Sequence, residues 1–196
     1  MRGALFTIGY GNRSLQEVLT RLREESMQFL IDVRTSPRSK FNPDFEAEAL
    51  DCALHAAGIR YVFMGDTLGG RPEDLSCYEN GHVIYERVQN RPFFQRGIER
   101  LLSALDQQFR VCLLCSELNP ADCHRSKLIG VALSALSVDV IHFSKSGERL
   151  TQADVMASLA SLQGDLFGAG LRSRKSYGGK ALAAGRSTGF RNNGRS

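Results

Sequence analysis

The 196-residue sequence predicts a single three-layer α/β domain: a mostly parallel sheet of about five strands, helices on both faces, and a flexible basic C-terminal tail. Three observations carry that expectation. Short apolar runs alternate with amphipathic stretches, as a chain built from βαβ units requires. Capping signals open several of the amphipathic stretches. After about Gly164 the periodicity stops and Gly, Ser, Arg and Lys dominate, with too little apolar content to offset ordering entropy. The domain is therefore expected to span 1–164 and the tail 165–196.

Residues 5–10 read as the first strand. Ser14 then offers an N-cap with Glu17 three residues on, and Leu15, Val18, Leu19 and Leu22 follow at helical spacing. Residues 29–34 form a second strand. Pro43 opens a second helix with Phe45, Ala49, Cys52, Ala53 and Ala56 on one face, and Gly58 suits its end. Residues 60–64 are a third strand. The stretch 65–91 is the least legible, a Gly-rich loop followed by a short helix around 82–88. Pro92 begins a clearer helix whose Phe94, Ile98, Leu101, Leu102 and Leu105 form a stripe. Residues 110–115 are nearly all apolar, the pattern of a strand buried on both faces. Asp122 is the expected cap of the next helix, with Leu128, Ala132, Leu133 and Leu136 facing inward. Residues 138–143 give a fifth strand. Thr151 and Asp154 form a second capping box before a helix carrying Val155, Leu159 and Leu162.

Composition narrows the function classes. No apolar stretch approaches the roughly 20 residues needed to span a bilayer, so no membrane role is expected. The start, MRGALFTIGYGN, is too short and interrupted for a secretory signal. Five cysteines without framework spacing fit a reduced, cytoplasmic setting. The net charge of +4 is unevenly spread. Residues 165–196 hold seven basic side chains against Asp165, while the first 164 hold 18 basic and 20 acidic ones.

In parallel α/β sheets ligands bind beyond the carboxyl ends of the strands. The unusual residues of this sequence fall at those ends. The first strand empties into Gly9, Gly11, Asn12 and Arg13, and the second into Arg34 and Arg38. The third is followed by Gly69, Gly70 and Arg71, and the fourth by Cys115, Glu117, Cys123, His124 and Arg125. Guanidinium groups bind phosphate or carboxylate through paired bonds, and glycine turns can add backbone N–H donors. Asn12, Arg13, Arg34, Arg38, Gly69, Gly70, Arg71 and Arg125 are thus candidate anion ligands. Each arginine could equally pair with a nearby acid such as Asp32, Asp66 or Glu117.

The segment LLCSELNPADCHR admits four readings. Cys115 can be a nucleophile facing an anion pocket, with Glu117, Cys123 and His124 as further catalytic candidates. The loop can be purely structural, since free cysteine often packs as a small hydrophobe. Cys115, Cys123 and His124, with His142 as a further candidate, can ligate a metal, although adjacent Cys-His is not the usual paired spacing. Cys115 and Cys123 can also exchange a reversible disulfide. The order given is the order of preference. No resident metal is assigned and the cofactor is unknown.

The segments TIGYGNRS, DVRTSPRSKFNPDF, YVFMGDTLGGR and LLCSELNPADCHR occur in that order. Together they resemble the family of domain of unknown function 488, over about Phe6 to His142. Its most specific pattern maps to Cys115, Glu117, Pro120, Cys123, His124 and Arg125. Two further patterns map to Asp32, Val33, Arg34, Pro37, Arg38 and Ser39, and to Leu68, Gly69, Gly70 and Arg71. Where many relatives have a histidine after the first glycine turn, this chain has Asn12. The resemblance implies that these loops form one site and supplies no reaction.

The preferred function is an enzyme, a hydrolase or transferase with a cysteine nucleophile, acting on a phosphorylated, nucleotide-like or nucleic-acid substrate. Two alternatives stand beside it: a non-catalytic nucleic-acid-binding module using the basic tail, and a zinc-binding or redox-sensing protein. The expected partner is an anionic small molecule or nucleic acid.

Overall fold

The computed structural model describes residues 2–163 and 170–177. A mixed, mostly parallel sheet lies between two helical layers, as the sequence predicts. It has six strands, in the order β3-β2-β6-β1-β7-β8. These strands are β1 (Leu5–Gly9), β2 (Phe29–Asp32), β3 (Arg60–Phe63), β6 (Val111–Cys115), β7 (Val140–Phe143) and β8 (Arg149–Thr151). The expected five are present and parallel. The sixth, β8, pairs antiparallel with β7 and is too short to show a period of its own. A separate ribbon joins β4 (Tyr78–Glu79) to β5 (His82–Val83).

The alternation of each central strand divides its side chains between two cores. Phe6 and Ile8 of β1, Leu30 of β2, and Cys112 and Leu114 of β6 pack with α1 (Leu15–Glu24) and α2 (Ala47–Ala56). Leu5, Ile31, Val111, Leu113 and Cys115 face the opposite layer. That layer contains α3 (Gly65–Leu68), α4 (Tyr85–Gln89), α5 (Pro92–Asp106), a π-helical turn (Arg125–Gly130) and α6 (Val131–Ala135). The last helix, α7 (Gln152–Gln163), places Val155 and Leu159 beside Ala121. The side chain of Leu162 lies outside the described residues.

Both capping boxes form. Ser14 and Glu17 bond reciprocally at the start of α1, and Thr151 and Asp154 do so before α7. Elsewhere the local signals are overruled. Pro43 opens only a 3-10 turn, Pro43–Phe45, and α2 begins at Ala47. The helix buries Leu50 and Leu54, leaving Ala49, Cys52 and Ala56 exposed. Two leucines offer more apolar area than a row of alanines, so they take the core. Asp122 does not cap the next helix. It lies in a 3-10 turn, Pro120–Asp122, that Asn119 caps, and Leu136 is 46% exposed. The stretch 82–88 divides into β5 and α4, and an Asn80-Gly81 turn, both residues of which have positive φ, joins β4 to β5.

Residues 170–177, expected within the flexible tail, run along the β4–β5 ribbon. Ser173 N–H donates to the Val83 carbonyl, and Tyr177 N–H to that of Gly81. The remaining tail residues, 164–169 and 178–196, lie outside the described residues. Among the described residues no helix is long and apolar enough to cross a membrane.

Candidate active site

The register pairs Gly9 with Cys115 and Asp32 with Leu114, so β1, β2 and β6 end level. Beyond that edge lies a cavity of about 360 Å³. Tyr10, Arg34, Cys115 and His124 line it together with Gly70, Arg71, Arg174 and Tyr177. A second cavity, of about 590 Å³, borders Arg87 and Glu79, which already pair at 2.9 Å. It holds none of the expected reactive side chains.

Two glycines permit the close packing around the first cavity. A Cβ on Gly9 would stand 1.9 Å from the Glu117 carbonyl oxygen, so only glycine lets the loop after β6 cross the end of β1. A Cβ on Gly70 would stand 2.8 Å from Cγ and Nδ1 of His124, so the Gly70 backbone lies against the imidazole face. Gly69 is buried beside Thr35, whose hydroxyl oxygen accepts from Arg71 N–H at 3.0 Å. Gly69 does not border the cavity.

The site floor is a cluster of three side chains. Nδ1 of His124 is 3.6 Å from Cys115 Sγ and 3.7 Å from Cys123 Sγ. Nε2 of the same ring is 3.0 Å from the Val33 carbonyl oxygen, which can only accept. Nε2 therefore carries a proton, and in the neutral ring the Nδ1 lone pair faces both sulfurs. Arg125 N–H donates to Cys123 Sγ at 3.4 Å. The Cys123 thiol, with His124 and Arg125, holds the Cys115 thiol well below its ordinary range against the effect of burial. Burial and the neighbouring Cys115 push Cys123 well above that range.

The arginines divide into two sets. Arg34 is buried against Asp32, with Nε 2.8 Å from Oδ1 and Nη2 2.5 Å from Oδ2. It also donates to the Phe45 carbonyl at 2.8 Å and still borders the cavity. Arg125 is fully buried and donates to the carbonyls of Glu117 and Leu118, binding that loop from inside. Its Nε–H has no partner among the described residues. Arg13 donates to the carbonyls of Gly9, Ser144 and Lys145, and exposed Asn12 lies outside the cavity lining. Arg38 and Arg71 border the cavity, and among the described residues no carboxylate pairs with either. The expected site residues that share the cavity are thus Arg34, Arg38, Gly70, Arg71, Cys115, Glu117, Cys123 and His124.

The family model for Domain of unknown function DUF488 matches residues 14–132. The chain belongs to that family. In this DUF488 chain the match covers α1 through the first residues of α6, including every cysteine and histidine at the cavity floor. No curated protein and no solved structure matches the chain.

The sequence reading missed part of the wall. Arg174 and Lys175 border the cavity and pair with Glu117 at 3.2 and 3.1 Å. Tyr177 stacks under Arg71, its ring centroid 5.3 Å from the guanidinium carbon. Tyr85, buried beside the two thiols, has its phenol held above the usual range chiefly by burial. Three basic residues followed by Tyr177 in RSRKSY were the available signal, but composition around them reads as tail. His142 does not join the cluster. Its Nδ1 is 2.7 Å from Thr7 Oγ1 and its Nε2 2.7 Å from Gln152 Oε1, so both nitrogens are engaged.

Proposed function

We propose that the cavity is the active site of an enzyme acting on a small phosphate-bearing substrate of nucleotide size. The observation that carries this reading is the surplus of cations around a reactive floor. Arg34, Arg38, Arg71, Arg174 and Lys175 border one space with Cys115, Cys123 and His124. Asp32, Glu117 and Asp122 offset three of the five charges. Arg38 and Arg71, which come from two separate loops, remain to hold an anion. Guanidinium forks suit phosphate oxygens geometrically, and a partly enclosed site strengthens the attraction. Cavities of roughly 300–1,000 Å³ are typical of small-molecule sites, which favours a compact ligand over a nucleic-acid backbone. Glu117, already neutralised by two cations, holds the wall rather than moving protons. The reacting groups are those of the floor.

Calorimetry with inorganic phosphate, pyrophosphate and nucleoside monophosphates tests the reading. At least one of these should bind, more weakly as salt rises, and Arg38→Ala or Arg71→Ala should weaken it roughly tenfold, the value of one charge-assisted contact. Affinity that ignores both substitutions, or no affinity for any of the three, would rule the reading out.

A further inference from the structure

We infer that Cys115, Cys123 and His124 form a three-ligand centre for a zinc-type divalent cation, with the fourth coordination position open to the cavity. The inference deepens the proposed function, and it rests on that reading only in taking the open position as the place where substrate meets the centre.

Geometry comes first. Zinc–sulfur bonds of about 2.3 Å and zinc–nitrogen bonds of about 2.0–2.1 Å at tetrahedral angles set sulfur and nitrogen about 3.6 Å apart. Nδ1 of His124 lies 3.6 and 3.7 Å from the two sulfurs, and all three donor atoms fall within 4.8 Å of one another. A single lone pair placed between two sulfurs suits a shared cation better than a hydrogen bond, since it can accept from only one S–H at a time.

The surroundings match a ligand shell in two independent ways. A metal-bound imidazole characteristically donates its remote N–H to a carbonyl or carboxylate, and here Nε2 donates to the Val33 carbonyl at 3.0 Å. A metal thiolate gains from a backbone N–H donor, and Arg125 N–H donates to Cys123 Sγ at 3.4 Å. Glycine at position 70 also leaves the ring its place, because a Cβ there would stand 2.8 Å from Cγ and Nδ1 of His124.

The charge balance removes the conflict between a cation and its basic neighbours. Two thiolates cancel the charge of a divalent ion, so Arg38 and Arg71 would face a neutral centre. An oxygen anion at the fourth position would then meet the metal and the guanidinium groups together. All three ligands border the cavity, which leaves that position facing the space where the anion is expected. Three protein ligands with an open fourth place is the pattern of catalytic zinc, whereas structural zinc is closed by four. His142 supplies no fourth ligand, because both its nitrogens are engaged with Thr7 and Gln152.

The test uses the full chain, purified without chelators. Elemental analysis should find about one zinc per chain. Replacement by cobalt should give thiolate-to-cobalt charge-transfer absorption and the intense visible bands of a tetrahedral site. Cys115→Ser, Cys123→Ser and His124→Ala should each weaken cobalt binding by roughly tenfold or more, and Cys52→Ser, at an exposed position, should not. Circular dichroism on the same samples reports folding, and the wild-type cobalt titration needs no variant. Folded wild-type protein with neither zinc nor a tetrahedral cobalt spectrum overturns the inference. If that protein still binds phosphate, the anion-handling cavity stands without a metal. If cobalt binds as described and no phosphate ligand does, the metal centre stands and the proposed substrate class fails.

Discussion

Arg34→Met removes the guanidinium that neutralises Asp32, a carboxylate with no solvent exposure. Three contacts at 2.5 to 3.0 Å between the two side chains disappear, together with the bond to the Phe45 carbonyl at 2.8 Å. Breaking a buried pair by removing one partner costs about 3–5 kcal/mol, and the orphaned carbonyl adds about 1 kcal/mol. Asp32 keeps two donors, the Tyr61 hydroxyl at 2.9 Å and the backbone N–H of position 34 at 3.0 Å, which favours the lower half of that range. The expected loss is therefore about 4 kcal/mol, a large share of the roughly 5–15 kcal/mol that holds such a domain together. Adding Asp32→Asn to the same chain removes the stranded charge and should restore about 2 kcal/mol or more, since a neutral pair leaves no buried ion. The chain has no tryptophan, so urea unfolding is followed by far-ultraviolet circular dichroism, with equal m-values as the check on two-state behaviour. A loss under about 1 kcal/mol for Arg34→Met, or a double variant no more stable than the single one, would mean that Arg34 is not committed to Asp32. Arg34 would then be available as a full anion ligand.

Burial pushes His142 down to about 4, while its unfolded value is about 6.5. The unfolded chain therefore binds the proton first. The stabilising effect of the neutral ring is complete above about pH 6.5 and is lost as pH falls toward 4, by about 3 kcal/mol at most. Urea midpoints taken across that window should fall more steeply than in His142→Gln, and parallel slopes would contradict the assignment. Gly70→Ala drives a methyl group into the His124 ring, and the expected cost is about 1–3 kcal/mol with cobalt affinity reduced roughly tenfold. Unchanged cobalt binding would show that the imidazole has room to move. Leu54→Ala, at a fully buried position of α2, should cost about 2–5 kcal/mol, whereas Ala49→Ser on the exposed face should stay within about 0.5 kcal/mol. Equal costs in thermal melts would mean that α2 is rotated from the face seen here.

The parts of the fold that were legible are those set by neighbours in sequence. Ser14 with Glu17, Thr151 with Asp154, and Pro92 at a helix start are local chemistry, and each acts as its residue type requires. The apolar run of β6 identifies a central strand because both of its faces meet a core. The placement of the reactive loops at one sheet edge was legible too, once the strands were taken as parallel. What each side chain does at that edge was not. Arg13, Arg34, Arg38, Arg71 and Arg125 look alike in sequence, yet two serve backbone carbonyls, one serves Asp32 and two face the cavity. Those differences depend on which carbonyls and carboxylates lie within reach through space. The grouping of Cys115, Cys123 and His124 was legible only as one of several readings, for a related reason. Adjacent ligands have unfamiliar spacing, and only the turn at Pro120–Asp122 brings the pair back over the end of β6.

The strap at 171–177 gives the site an order of assembly. Its backbone pairs with the β4–β5 ribbon and α4 through Leu171, Ser173 and Tyr177, nearly a hundred positions later in the chain. As the polypeptide leaves the ribosome, every strand of the sheet has emerged before this wall. Cys115, Cys123 and His124 are thus assembled in an open bay and enclosed last. Trimming the chain at 164, where composition suggests a dispensable end, would leave the sheet intact and remove Arg174, Lys175 and Tyr177 from around the floor. The resulting protein would keep the floor of the site and lose the basic wall beside it.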